Sequence, residues 1–433
     1  MVGKQIRGKC VRRNVQKVVC GVLVFGAAAP GLHAQQTFSW EQIRDRFKQV
    51  NPTLAAARAS VDEAHAEEVT AYLRPNPDFS LTADGTQIAP SHGIFRPFTG
   101  TFYTPAFSYL HEREHKRELR LESAQQTTAV TQSTYFDQAR TLLFTLRNAF
   151  VEVLQAKAVR GNAQENLAYW DRELNANKQR LDAGDMAQVD YDRLLLQRAQ
   201  FESDFETATV NLRTAKIQLL QLLNDRTPLE RFDVTGPFEP GESLLPLERF
   251  RENALANRPD LKAAVQSVTL ARITHFLAVA NGSADPTFSL WYTHNGSFNN
   301  PDALNTIGGS VSIPLRIFDR NQGEKARTQI DIGRSERLRD AAQAQVLNDV
   351  DSAYVTLVGI VSLLKPYQAT YLKLAASTRD RVSFAYQNGG ASLLDYLDAE
   401  KSYRDTRLAY LNLVGSYLTA AAQMNLAVGR EVM

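Results

Sequence analysis

Pro77-Asp78-Phe79-Ser80-Leu81 and, 209 residues later, Pro286-Thr287-Phe288-Ser289-Leu290 are one pentapeptide written twice with a single change. The first copy opens a stretch, Asp78 to Asp84, that alternates strictly. Phe79, Leu81 and Ala83 fall on one side, Asp78, Ser80, Thr82 and Asp84 on the other. A period of two predicts a β-strand with one apolar face. The second copy predicts a strand from Asp285 to Thr293, with Phe288, Leu290 and Tyr292 on one face. Working outward, the correspondence persists. Pro52-Thr-Leu-Ala-Ala-Ala57 returns as Pro259-Asp-Leu-Lys-Ala-Ala264, and Gly100 and Pro105 return as Gly309 and Pro314. Gly184, Asp190 and Tyr191 return as Gly389, Asp395 and Tyr396, the offset drifting only between 205 and 209 residues. A unit of roughly 200 residues is too long for a solenoid repeat of about 20–50. It predicts a duplicated half-protein, a device that builds membrane conduits. The repeats are placed at 35–226 and 246–433, joined by a Pro-, Gly- and Glu-rich linker at 227–245.

Each half reads as helix, two strands, long helix, helix. In the first, Phe38 to Leu73 has helical spacing and is stopped by Pro75-Asn76-Pro77; a second strand runs from about Phe98 to Tyr109. From about His111 to Asp182 there is no proline and one glycine, Gly161, so a helix of ~105 Å is expected at about 1.5 Å per residue. Asp182-Ala183-Gly184-Asp185 ends it. The return helix carries Phe201, Phe205, Ala208, Leu212, Ala215, Leu219 and Leu222, the 4-3 spacing of a coiled-coil seam. In the second half, Pro246 to Val279 reads as helix and Thr306 to Leu315 as a strand with Ile307, Val311, Ile313 and Leu315 on one face. A helix from about Asn321 to Gln387 follows, with Pro366 inside it and Gly161 as its counterpart, so both long helices are expected to weaken at one level. The Asn388-Gly389-Gly390 turn leads into a last helix ending at Val428.

Residues 1–34 have the form of an export signal. Lys4, Arg7, Lys9, Arg12, Arg13 and Lys17 precede an apolar core, Val18 to Ala29, and Leu32-His33-Ala34 offers a cleavage site. Both cysteines, Cys10 and Cys20, lie in it, so the expected mature chain has no thiol chemistry. Its loss leaves 43 bases against 47 acids, a formal charge of −4, and removes any basic signature of nucleic-acid binding. No mature segment holds about 18 consecutive apolar residues, so passage through a membrane is expected by strands. Four strands of about nine residues suit a tilted barrel in length but cannot close one alone, and open edges are not tolerated in lipid.

On these residues the chain resembles the TolC-like outer-membrane factor family, and one stretch looks most like its heavy-metal efflux branch. The duplication carries the resemblance, with Val311-Ser-Ile-Pro-Leu315 running into Ile317-Phe-Asp-Arg-Asn-Gln-Gly323, and Tyr386-Gln-Asn-Gly-Gly-Ala-Ser-Leu-Leu-Asp395-Tyr-Leu-Asp398. The resemblance implies a mainly α protein with a small β part. Three copies would build a 12-stranded transmembrane β-barrel, four strands per chain, above a long periplasmic coiled-coil α-barrel. It implies the passive exit duct of a tripartite efflux pump, gated at its helix tips, with a periplasmic adaptor and an RND-type inner-membrane pump as partners and outer-membrane lipid around it. No cofactor and no enzyme activity are implied. Gly184 and Gly389 correspond to the hairpin turns where the adaptor docks, and Asp395 and Asp398 to the aspartates of the aperture. Spaced i, i+3, these two share a helix face, and threefold symmetry would gather six carboxylates that attract cations and raise one another's pKa. Tyr386 and Asp190 correspond to closing residues. The family prototype's arginine two residues after the second turn glycine is here Ala391, which leaves Asp190 without that partner; Arg381 is a nearby cation.

His111-Glu112-Arg113-Glu114-His115 fits the H-E-x-x-H zinc-protease pattern literally. Arg113, Lys116 and Arg117 crowd it with positive charge and no third ligand is evident, so a charged helix start is the expectation. The alternative to the duct is a soluble periplasmic coiled-coil adaptor, which would fold its strands into a compact β-domain. Phe79, Phe102, Phe288, Trp291 and Tyr292 are candidates for lipid contact or interfacial girdles.

Overall fold

The computed structural model describes residues 36–90, 92–241, 244–295 and 304–433; the export signal expected at 1–34 lies outside the described residues. The chain is mainly helical. It runs β1 (Gln36–Phe38), α1 (Trp40–Val50), α2 (Pro52–Tyr72), β2 (Asp78–Asp84), β3 (Phe102–Leu110), α3 (Lys116–Asp182), α4 (Gln188–Leu222) and β4 (Phe232–Val234). Then follow α5 (Leu247–Asn257), α6 (Pro259–Ala280), β5 (Thr287–Asn295), β6 (Asn305–Ser312), α7 (Gln322–Pro366), α8 (Leu372–Gln387) and α9 (Leu393–Val428). α3 alone has 67 residues, ~100 Å at about 1.5 Å each.

β2, β3, β5 and β6 form one antiparallel sheet in that order. The helices that enter and leave it keep the same order, α2–α3–α6–α7; farther from the sheet the row becomes α4–α3–α9 with α7 and α8. The 4-3 seam on α4 is used as its spacing predicts: every one of its seven apolar positions is buried or half-buried. Among the described residues two helical stretches, α6 and part of Gln322–Gln387, are apolar enough on average to cross a membrane. α6 nevertheless carries Asp260, Lys262 and Arg272 and packs between α3 and α7, which makes it part of the helical layer.

Several elements differ from expectation, each for a local reason. Phe38–Leu73 is two helices, because Asn51 adopts an extended conformation before Pro52 and its side chain caps the Leu54 N–H at 3.0 Å. The same break precedes Pro259. There Arg258, buried, is held by Asp260 at 2.7 Å and Asp349 at 2.8 Å. α3 starts at Lys116 because Glu114 and His115 take left-handed backbone angles. The helices do not weaken together. Gly161 stays in regular α-helix, whereas Pro366, which lacks the N–H for the preceding turn, is followed by a π-type segment, Tyr367–Tyr371. β6 ends at Ser312, before Pro314, which cannot donate to a ladder. Ile313 and Leu315 therefore lie beyond the strand, both exposed. The stretch 227–245 contains β4, which pairs in parallel with β1 through Phe38↔Val234 and its neighbours. Asp233 in β4 is buried. Burial raises its pKa, but Lys157 and Lys216 outweigh this and hold it below the ordinary carboxylate value, fastening the join to α3 and α4.

Candidate functional site

The sheet has two unlike faces. Register places Phe79 opposite Phe107, Phe107 opposite Leu290 and Phe288 opposite Val311, so Phe79, Leu81, Pro105, Phe107, Phe288, Leu290, Ile307 and Val311 share one face. That face is open: Phe79 is 60% exposed, Leu81 65% and Leu290 60%. The opposite face carries Ser80, Thr82, Thr104, Ser289, Thr293 and Ser310, with Thr104 and Thr293 hydroxyls hydrogen-bonded at 3.1 Å. Of the candidate lipid-facing aromatics, Phe79, Phe288 and Tyr292 lie on the apolar face; Phe102 and Trp291 lie on the other. Trp291 covers Gly308 so closely that a Cβ there would sit 2.5 Å from the indole, which explains a glycine mid-strand. Exposing the apolar face and keeping hydroxyls on the other is the arrangement of a lipid-facing barrel wall.

The H-E-x-x-H stretch does not have the geometry of a helical zinc motif. His111 and His115 share no helical turn, Glu112 is bound by Arg120 at 2.9 Å, and Lys116 Nζ reaches Asp285 at 2.6 Å. These contacts tie the base of β3 to the base of β5. Among the described residues no group of three or more metal-ligating side chains occurs.

At the far end the hairpins α3–α4 and α8–α9 turn on Gly184 (φ +83°) and Gly389 (φ +75°), with open space where a Cβ would go. Both turns close alike: Asp185 N–H donates to Arg180 C=O at 2.8 Å and Gly390 N–H to Ala385 C=O at 2.7 Å. Behind them the hairpins meet through a column of rings. Tyr386 stacks on Tyr396 (4.9 Å, 5° between planes), Tyr396 on Trp170 (5.9 Å, 7°), and Trp170 leans on Phe201 at 5.2 Å. The Tyr386 hydroxyl donates to Asn177 Oδ1 at 3.4 Å, and Trp170 Nε1 to the Leu194 carbonyl at 3.0 Å. Burial raises the Tyr386 pKa, with nearby Asp190 acting the same way and Arg180, 5.4 Å from the ring, opposing it.

Asp395 and Asp398 are exposed on the first turns of α9. Asp395 also completes a capping box: its Oδ2 accepts from Ser392 Oγ at 2.6 Å and Ser392 N at 3.1 Å, while Ser392 Oγ accepts from Asp395 N at 3.1 Å. These bonds hold its carboxyl below its ordinary value, opposite to the rise expected of a crowded ring. Asp190 sits beside Tyr386 but pairs with Arg193 of its own helix, at 3.5 Å. Arg381 makes no ion pair among the described residues; the cations at the ring column are Arg180 over Tyr386 and Arg404, 5.5 Å from the Phe201 ring. Ala391 packs against the same cluster.

Sequence reasoning missed Trp170, Asn177 and Glu400. Glu400 is 5% exposed, its Oε1 lacks a hydrogen-bond partner among the described residues, and burial pushes its carboxyl up to about 7. Glu173 and Asp380 push the same way, while Tyr169 and Arg379 oppose. The return of Tyr191 as Tyr396 was the available signal for the ring column, yet the pair diverge: Tyr396 is fully buried, whereas Tyr191 is half-buried with Lys178 over its ring.

The sequence model of the family described as outer membrane efflux protein matches residues 43–225 and 250–430. The cobalt-zinc-cadmium resistance protein CzcC of Cupriavidus metallidurans is 25% identical over 387 residues, 88% of this chain and 87% of that protein. Outer membrane protein TolC of Escherichia coli is 23% identical over 406 residues, 90% of this chain and 81% of TolC. A crystal structure of CusC superposes with TM-score 0.76 at 17% identity, covering 90% of this chain and 92% of CusC. The open-state MtrE channel of Neisseria gonorrhoeae gives 0.72 at 17% identity, covering 91% and 89%.

Proposed function

The chain belongs to the outer membrane efflux protein family, and from that premise we propose that three copies close into one gated duct. It is an outer-membrane efflux channel with a helical extension into the periplasm, passive and not an enzyme.

The observation that carries the assembly is the sheet, whose open face is apolar and whose edge strands, β2 and β6, have no outer partner among the described residues. In lipid each unpaired backbone N–H or C=O costs roughly several kcal/mol, so other copies must supply the missing strands. Direction permits it: β2 leads away from the helices and β6 returns to them, so β6 of one copy meets β2 of the next antiparallel. Three four-stranded sheets make a twelve-stranded barrel with hydroxyls inside. The same geometry disfavours an adaptor, whose strands would close a compact β-domain. The recurring order of elements supports descent from a duplicated half, with 35–226 and 246–433 as the two repeats.

At the periplasmic end the hairpins form the gate. Asp395 and Asp398 from three copies ring the aperture, and Tyr386 and Asp190 flank it. The exposed turns at Gly184 and Gly389 are the docking points for a periplasmic adaptor, itself bound to an RND-type inner-membrane pump. With alanine at 391, closure rests on the Tyr386–Tyr396–Trp170 column rather than on an arginine lock. A ring of carboxylates favours cationic cargo. Divalent metal ions fit, in line with the resistance named for the Cupriavidus relative.

The deciding experiment separates inner and outer membranes by density, extracts the protein in mild detergent and measures its native mass. A three-copy assembly from the outer membrane is expected. A soluble periplasmic monomer would overturn the reading.

A further inference from the structure

Away from the sheet and the gate, a groove of about 900 Å³ runs along α3 between α1 on one side and the end of α9 and start of α6 on the other. Its charge is one-sided. Seven Arg and Lys side chains line it against a single acid, Glu431. That acid is already engaged by Arg44 at 3.8 Å and by Trp40 Nε1 at 3.4 Å. Lys48, Arg58, Arg147, Lys262 and Arg430 make no ion pair among the described residues.

Arg147 is the telling member. It is half-buried, lies 4.5 Å over the Trp40 ring and 5.7 Å from Phe150, and faces no carboxylate at bonding distance. Burial pulls its pKa below the ordinary arginine value, with Glu431 and Glu41 opposing from farther off. A partly desolvated cation held on an aromatic face is prepared for an incoming anion. The walls are not uniformly polar: Phe136 stands 50% exposed in the groove, beside Phe144 and Met433. Anionic groups alone would leave these uncovered.

Position narrows the occupant. The α3 residues of the groove, 133 to 147, lie ~25–45 Å from the sheet end of the helix at about 1.5 Å per residue. Lipid headgroups at the barrel rim are out of reach, and a periplasmic protein is not. We propose that this groove docks an extended acidic segment of a periplasmic protein, its carboxylates taken by the five unpaired cations and its apolar side chains laid on Phe136 and Phe144.

The test uses the full chain, purified in detergent as its native assembly, and a fluorescein-labelled peptide of alternating Glu and Leu. Its Lys-for-Glu counterpart and phosphatidylglycerol vesicles serve as competing probes. The Glu–Leu peptide is expected to bind, and to bind less tightly as salt is raised. Lys48→Glu with Lys262→Glu changes only exposed positions and should keep the assembly intact while weakening the peptide about tenfold or more. Phe136→Ser should weaken it without changing the salt dependence. Peptide binding that ignores the double charge reversal, or equal binding of the Lys peptide, would overturn the proposal. So would vesicle capture that the reversal abolishes in the absence of peptide binding, which would reassign the groove to an anionic lipid surface.

Discussion

Asp395 has a local duty as well as its proposed place in the aperture. The capping box with Ser392 stabilises its charge, whereas a ring of six carboxylates would destabilise it. The two roles separate by mutation. Asp395→Ala with Asp398→Ala should reduce the cation preference of the pore in planar bilayers. Ser392→Ala removes the cap at a cost of about 1 kcal/mol but leaves every carboxylate in place, so selectivity should survive. Equal selectivity in wild type and the double variant would sink the aperture assignment. Glu400 poses the opposite case, a carboxyl that the fold prefers neutral. Its folded pKa of about 7 lies above the unfolded 4.5, so its contribution is whole below 4.5 and lost as pH rises through 7. Glu400→Gln is therefore expected to match wild type in thermal stability near pH 4.5. Above pH 7 it should be the more stable by roughly 3 kcal/mol, at about 1.36 kcal/mol per pKa unit. A pH-independent difference between the two would refute the burial argument.

At the scale of elements, the proposed gate is two helical hairpins joined by rings. The stacked pairs of the column contribute about 0.5–1.5 kcal/mol each beyond their buried area; Tyr386–Tyr396 joins α8 to α9 within one hairpin, and Tyr396–Trp170 carries the column across to the other. Tyr386→Ala should loosen α8 from α3 and raise single-channel conductance; Tyr386→Phe keeps the stack, loses only the long hydroxyl bond to Asn177, and should behave as wild type. Unchanged conductance in Tyr386→Ala would remove the column from the gate. This part of the molecule shows what a sequence can and cannot disclose. β2 was legible to the residue because strict alternation leaves one solution, and Gly184 and Gly389 announced both turns. The breaks at Asn51 and Arg258 were readable in hindsight from the following prolines, but the helical spacing on either side masked them. The ring column was not legible. Trp170 and Tyr396 are 226 residues apart, and nothing local marks a buried aromatic as a bridge between hairpins rather than as core. The same holds for Arg180, which stands over Tyr386 from another helix while Arg381, nearer in sequence, stays exposed.

The described residues form an incomplete object on their own: a sheet with an apolar open face, two edges unpaired among those residues, and helices ~100 Å long beneath it. Completion by copies of itself makes a covalent prediction. β2 and β6 become neighbours only across a subunit boundary, since within one chain β3 and β5 lie between them. Both native cysteines fall within residues 1–34, so after removal of an export signal any disulfide must come from introduced residues. Thr82→Cys combined in turn with Thr306→Cys, Gly308→Cys and Ser310→Cys scans the polar face of the two edges for the register in which they meet. Gly308 carries the risk that its new side chain displaces Trp291, and the flanking positions guard against it. At least one pair should oxidise to a ladder of dimer and trimer on a denaturing gel, with no larger species. A ladder that stops at dimer would mean an eight-stranded closure. One that continues past trimer would mean a wider ring, and no ladder at any pair would mean that the edges are covered by something other than this chain. Each of those outcomes would replace the trimeric duct.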